Sequence, residues 1–144
     1  MALTKGRRIL LRAATEDEFG RWCKSLALVH GWNGIHVRWS QGVLEAVHTI
    51  ARHGWSEAYG LPDWYWWNEK LEQHFWTELK SWEGRLSRHQ VERITSMRAA
   101  GETVFVWRPQ LEEEITRIFR DGLSGGPPAI FGGAESEKVN DAEY

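Results

Sequence analysis

Apolar residues first recur at helical spacing at Phe19, Trp22, Cys23, Leu26 and Val29, between Thr15 and Gly31. Thr15 can cap a helix, Glu18 three residues later completes a capping box, and Gly31 beside His30 stops the run. A helix is predicted over 16–30. Ile35-His36-Val37-Arg38-Trp39 then alternates apolar and polar, the pattern of a half-buried strand. Residues 40–59 leave two readings open: a helical face through Val43, Val47, Ile50 and Ala51, or a long loop punctuated by Gly42, Gly54 and Gly60.

Gly60-Leu61-Pro62-Asp63 leads into Trp64-Tyr65-Trp66-Trp67, and residues 73–80 form a second apolar stretch after a polar break. The short connection makes an antiparallel hairpin the simplest pairing. On the second strand His74, Trp76, Glu78 and Lys80 face one side, and Phe75, Thr77 and Leu79 the other. Ser81–Leu86 reads as a loop around Gly84. Ser87 caps a second helix with a stripe at Val91, Ile94, Met97 and Arg98, ending at Ala99-Ala100-Gly101. Val104-Phe105-Val106-Trp107 is a short strand buried on both faces, and Pro109 opens a last helix with Leu111, Ile115, Ile118 and Phe119 inward. This order predicts an α/β domain over 15–120 with a central mixed β-sheet flanked by helices. Residues 1–14, with Lys5, Arg7, Arg8 and Arg12, are expected to form a basic arm, frayed or paired as a short edge strand. The Gly-, Pro- and acid-rich residues 121–144 are expected to form a flexible tail.

Composition changes this picture in three places. A single cysteine, Cys23, excludes an internal disulfide framework, and no apolar run has the length of a membrane span, so a cytoplasmic protein with no membrane partner is expected. The net charge of −2 is unevenly spread: residues 1–120 hold 17 Lys and Arg against 15 Asp and Glu, and residues 121–144 hold one against five. The folded part is therefore slightly basic, which leaves nucleic acid open as a partner. Ten tryptophans can stack on bases, but packing a small core is their commoner use and is expected for most of them.

Candidate chemistry centres on the hairpin. A carboxylate at the head of one strand, Asp63, comes near one at the end of the next, Glu78. Together with the backbone carbonyl of Leu79 they offer hard oxygen ligands suited to Mg²⁺. Lys80, two residues from Glu78 and on the same face, can position an attacking water or neutralise charge developing on a phosphoryl group. Each residue also has an ordinary reading, Pro-Asp as a turn and Glu-x-Lys as a solvated pair; it is their combination at this spacing that points to phosphodiester chemistry. Glu18 has its capping role without any active site, and Gln90 one turn into a helix is unremarkable alone. Six histidines with one cysteine show no zinc-ligand spacing, and there is no phosphate-cradling Gly-x-x-x-x-Gly-Lys loop or Gly-x-Ser-x-Gly elbow. Arg38, Arg85, Arg88, Arg93 and Arg108 are candidates for phosphate contact, although scattered arginines are usually solvated surface.

These stretches resemble the VRR-NUC domains of the PD-(D/E)xK, restriction-endonuclease-like superfamily. The resemblance rests on Thr15-Glu16-Asp17-Glu18-Phe19, His30-Gly31-Trp32, His36-Val37-Arg38, Gly60-Leu61-Pro62-Asp63, Thr77-Glu78-Leu79-Lys80, Gly84-Arg85-Leu86-Ser87 with Gln90, and Val104-Phe105-Val106-Trp107-Arg108-Pro109. It implies a restriction-endonuclease-like core and Mg²⁺- or Mn²⁺-dependent cleavage of DNA. Asp63 and Glu78 would bind metal, Lys80 would assist the nucleophilic water, Glu18 would complete the acidic cluster, and Gln90 would match the glutamine that follows the core. It further implies a small phage or bacterial nuclease resembling Holliday-junction resolvases or flap-type repair nucleases, acting as a homodimer on branched DNA. Residues 40–59 depart from the pattern, so substrate preference does not carry over. The rival reading is a non-catalytic DNA- or protein-binding module on the same fold. A sequence-specific restriction nuclease ranks lower, because so short a chain leaves little room for a base-reading element.

Overall fold

The computed structural model describes residues 11–37 and 61–123 and the backbone of 139–140. Helix α1, Glu16–Val29, starts where Thr15 accepts the Glu18 N–H on its side chain at 3.2 Å, and three acids in its first turn complement the helix dipole. Its inward stripe is Phe19, Gly20, Cys23 and Ala27. At the far end Gly31 takes a left-handed φ of 79° and turns the chain back, so that the Trp32 N–H reaches the Ala27 carbonyl at 2.9 Å.

Strand β1 is Asn33–His36, β2 is Trp64–Asn68 and β3 is Gln73–Leu79. The hairpin forms as expected, with Trp64 opposite Thr77, Trp66 opposite Phe75 and Asn68 opposite Gln73. β1 lies antiparallel to β2, starting two residues earlier than the alternation suggests, with Gly34 opposite Trp66. A Cβ on Gly34 would lie 2.4 Å from the Trp66 ring, so a bare backbone here lets the indole lie flat across the sheet. After β4, Leu86–Ser87, and helix α2, Arg88–Ala99, strand β5, Val104–Trp107, runs parallel to β3 with Glu78 opposite Val106. The result is a mixed four-stranded sheet in the order β1-β2-β3-β5, flanked by helices.

The core is aromatic. Trp32, Trp66, Trp107, Phe19, Phe75, Phe105 and Phe119 are fully buried, so packing is the main use of the described tryptophans. Trp32 Nε1 donates to the Phe119 carbonyl and Trp66 Nε1 to Thr77 Oγ1, both at 2.9 Å, which places polar atoms inside the core at little cost. Helices α1 and α3 (Glu112–Asp121) cover this face; α2 covers the other through Leu86, Ile94, Val104 and Val106.

Three expectations need correction. Pro109 opens a 3₁₀ turn, Pro109–Leu111, and α3 begins only at Glu112; Leu111 is half-buried, while Ile115, Ile118 and Phe119 are buried as expected. Residues 11–13 are helical and Leu11 is buried, so this end of the basic arm is neither frayed nor an edge strand; residues 1–10 lie outside the described residues. Within the expected tail, strand β6, Val139–Asn140, pairs in parallel with Leu86–Ser87. The rest of 124–144, and residues 40–59, lie outside the described residues. Among the described residues no helix is long and apolar enough to cross a membrane.

Candidate active site

The hairpin register brings the two carboxylates together. Trp64 pairs with Thr77, and one step further along the same ladder sets Asp63 opposite Glu78. Asp63 is fixed on three sides. Its carbonyl accepts the Val37 N–H at 2.7 Å, its Oδ1 accepts the Leu79 N–H at 3.0 Å, and its Oδ2 lies 4.0 Å from His36 Nε2. The His36 ring in turn stacks on Trp64, with centroids 4.6 Å apart and planes 4° from parallel.

Glu78 is 3 % exposed. Its Oε1 accepts Gln90 Nε2 at 2.9 Å and lies 3.6 Å from Lys80 Nζ, while Oε2 is buried with no hydrogen-bond partner. Gln90 does two jobs at once. Its Oε1 accepts the Ser87 N–H at 2.8 Å, closing the capping box of α2, and its amide nitrogen is thereby aimed at Glu78. Gln90 is accordingly a positioning residue, since it touches the carboxylate and is not itself placed against a substrate.

Burial, then the like charge of Asp63, pushes the Glu78 carboxyl up from 4.5 to about 8, against the opposing pull of Lys80. Burial likewise raises Asp63 from 3.8 to about 6, with the charge of Glu16 adding to the rise and the Leu79 N–H and Lys80 opposing it. Burial and the Asp63 charge also push the Cys23 thiol well above its ordinary value. The pair is thus an electrostatically unsatisfied site, short of positive charge, with an orphaned carboxylate oxygen inside it. Asp63 and Glu78 are the side chains that could hold a hard divalent cation, with the expected third ligand, the Leu79 carbonyl, on the residue whose N–H binds Asp63. Among the described residues no group of three or more His, Cys, Asp and Glu side chains gathers as a metal site, so these side chains contribute a pair.

The acid from the first helix is a different one from that expected. A cleft of about 460 Å³ opens beside Asp63, lined by Glu16, Asp17, Arg21, His36 and Trp64, and Glu18 is not part of its lining. Glu16 and Glu18 are both exposed, but Glu18 gives its N–H to Thr15 while Glu16 acts electrostatically on both carboxylates. Helix phase explains the exchange: Glu16 continues the inward stripe of Gly20, Cys23 and Ala27 by one turn, whereas Glu18 is on the stripe of Trp22 and Ser25. His36 was also missed as a site residue, although it lies in the alternating stretch that formed β1. Of the arginines, Arg85 and Arg88 are exposed, and Arg108 holds the Gly84 carbonyl with Nε at 3.0 Å and Nη2 at 2.9 Å. Arg38 lies outside the described residues.

No known protein family, curated protein or solved structure matches the chain.

Proposed function

We propose that this protein is a metal-dependent DNA endonuclease built on a restriction-endonuclease-like core, acting on branched DNA such as four-way junctions or flaps. The observation that carries the reading is the Asp63–Glu78 pair: two carboxyls facing each other across a hairpin, one with a buried unpartnered oxygen, and a lysine 3.6 Å away. Opposed buried carboxyls with raised proton affinity cost stability unless a cation joins them, which is the arrangement expected of a metal-ligand pair. Mg²⁺ or Mn²⁺ bound there would offset both charges and polarise a phosphodiester as a Lewis acid.

The residues around the pair have separate tasks. Gln90 fixes the Glu78 carboxylate, and the Leu79 N–H fixes that of Asp63, so neither has to reorganise as charge develops. Lys80, with its side chain only 12 % exposed, places Nζ 3.6 Å from Glu78, where it can orient an attacking water and stabilise the developing phosphorane oxygens. Glu16 and His36 border the cleft on the α1 and β1 sides, within reach of a water or a substrate phosphate entering it. Two cuts on a symmetric junction need two such sites related by a two-fold axis, hence a homodimer, working in the cytoplasm of a bacterial or phage-infected cell.

The test is incubation of a labelled four-way junction, a flap and a linear duplex with Mg²⁺ or Mn²⁺. Wild type should cut at least one of them, and Asp63→Ala should be slower by 100-fold or more, as for loss of a principal electrostatic group (~10²–10³). Equal behaviour of the two proteins on all three substrates refutes the assignment. Junction binding without turnover, indifferent to metal, would establish the non-catalytic module instead.

A further inference from the structure

Immediately after Lys80 the chain makes a tight turn that presents Trp82. The Gly84 N–H returns to the Ser81 carbonyl at 3.1 Å, and a Cβ on Gly84 would lie 3.1 Å from Lys80 Cβ and from Ser81. Arg108 grips the Gly84 carbonyl through two nitrogens, and Gln110 Nε2 donates to the Trp82 carbonyl at 2.6 Å. The backbone of Trp82 is therefore pinned, two residues from the lysine of the proposed site. Its indole is half-buried, and the Arg12 guanidinium lies 5.5 Å from its ring centroid.

Two clefts meet at Glu16. One is the cleft beside Asp63 and His36; the other, about 570 Å³, is lined by Arg12, Ala14, Glu16, Trp82 and Glu83. Glu16 thus borders both the hollow beside Asp63 and the one beside the indole. Beyond Trp82 lies a third hollow, lined by Glu112, Glu113 and Glu114, and Trp82 borders that one too. The indole thus borders two hollows, and the one away from Arg12 carries three glutamates.

We infer that Trp82, with Arg12, is a nucleotide subsite: an unpaired base flanking the scissile phosphodiester stacks on the indole, so the preferred substrate is single-stranded on that side of the cut. This rests on the nuclease reading above. The second cleft suits a base better than a phosphate, because its lining joins an indole and the small side chains of Ala13 and Ala14 to two acids, Glu16 and Glu83, that disfavour an anion. Arg12 lies over one face of the ring as a cation, so a base would stack on the opposite face, with no preference among bases. A base inside a duplex is already stacked on both faces and must be extracted at a cost of roughly a few kcal/mol, whereas an unpaired one is available.

The experiment is a stacking cycle, read by anisotropy of a labelled flap oligonucleotide with Ca²⁺ replacing Mg²⁺ so that binding is separated from cutting. A single abasic residue is moved along the unpaired strand. In wild type one position next to the cut should weaken binding about ten-fold, the usual scale for one base–aromatic stack. Trp82→Leu, which keeps an apolar side chain in the turn, should bind the intact oligonucleotide about ten-fold more weakly and lose its sensitivity at that position. Trp82→Phe should retain the sensitivity, and Arg12→Ala should weaken binding while keeping it. If the Trp82→Leu and abasic penalties multiply, or no flanking position matters in wild type, the subsite is refuted. When wild type still cuts phosphodiesters under Mg²⁺, that outcome removes the stacking inference alone; a wild type that cuts nothing removes the nuclease reading.

Discussion

Replacing Glu78 by Gln tests the electrostatic reading of the site without requiring any substrate. The side chain keeps its shape and can still accept from Gln90, but the buried negative charge is gone. In the wild-type protein the Glu78 carboxyl holds its proton up to about 8, against 4.5 ordinarily. The folded state therefore binds more protons than the unfolded state between those values, and stability falls as pH rises through that window. At 1.36 kcal/mol per unit of displacement, the loss from acid to pH 8 is on the order of 4 kcal/mol for the metal-free protein. Asp63, raised to about 6 chiefly by burial, contributes in the same direction in both proteins.

Glu78→Gln removes this loss but leaves a buried amide N–H where Oε2 had no partner, which costs about 1–3 kcal/mol at any pH. The variant should accordingly be equal to or less stable than wild type at pH 5 and more stable by roughly 1–3 kcal/mol at pH 8, in EDTA. Urea unfolding at several pH values measures both, and the diagnostic is the slope of the difference. Added Mg²⁺ should stabilise wild type by mass action and leave the variant nearly unmoved. A difference that stays constant from pH 5 to pH 8 would show that Glu78 is not a strained buried acid, and the metal-ligand argument would lose its basis.

Two further outcomes follow from the geometry. Gln90→Ala removes both the Glu78 contact and half of the α2 capping box, so it should lower metal affinity or turnover about 10–100-fold and cost about 1 kcal/mol of stability; titrating Mg²⁺ in the cleavage assay separates the two effects. Glu16→Ala should weaken Mg²⁺ binding several-fold and lower the proton affinity of both carboxyls, whereas Glu18→Ala should leave the Mg²⁺ titration as in wild type; calorimetry on the pair of variants decides which acid belongs to the site.

The hairpin and its two carboxylates were legible because they rest on local rules. Alternation sorts Phe75, Thr77 and Leu79 from Trp76 and Glu78, and a five-residue connection leaves antiparallel pairing as the simplest solution. The parallel pairing of β3 with β5 was less accessible, because it depends on how α2 crosses between them and no local pattern encodes it. The two-residue β4–β6 bridge was illegible for a related reason. Its residues lie in a stretch whose composition cannot build a core, and they pair only because a distant edge at Leu86–Ser87 is there to receive them.

The exchange of Glu18 for Glu16 comes from two rules that apply to the same turn and answer different questions. The capping rule concerns backbone N–H groups left open at a helix start, and half of the expected box forms: Thr15 accepts the Glu18 N–H, while the Glu18 side chain makes no return bond among the described residues. Whether the Glu18 side chain reaches the site is a separate matter. That is settled by helix phase, since residues 16, 20, 23 and 27 share one stripe and the last three are buried. At Ser87 the two rules coincide, because the capping glutamine at the third helical position also lies on the face toward Glu78. A capping acid or amide is therefore evidence for a site residue only where helix phase turns the same side chain inward, as it does for Gln90 and does not for Glu18.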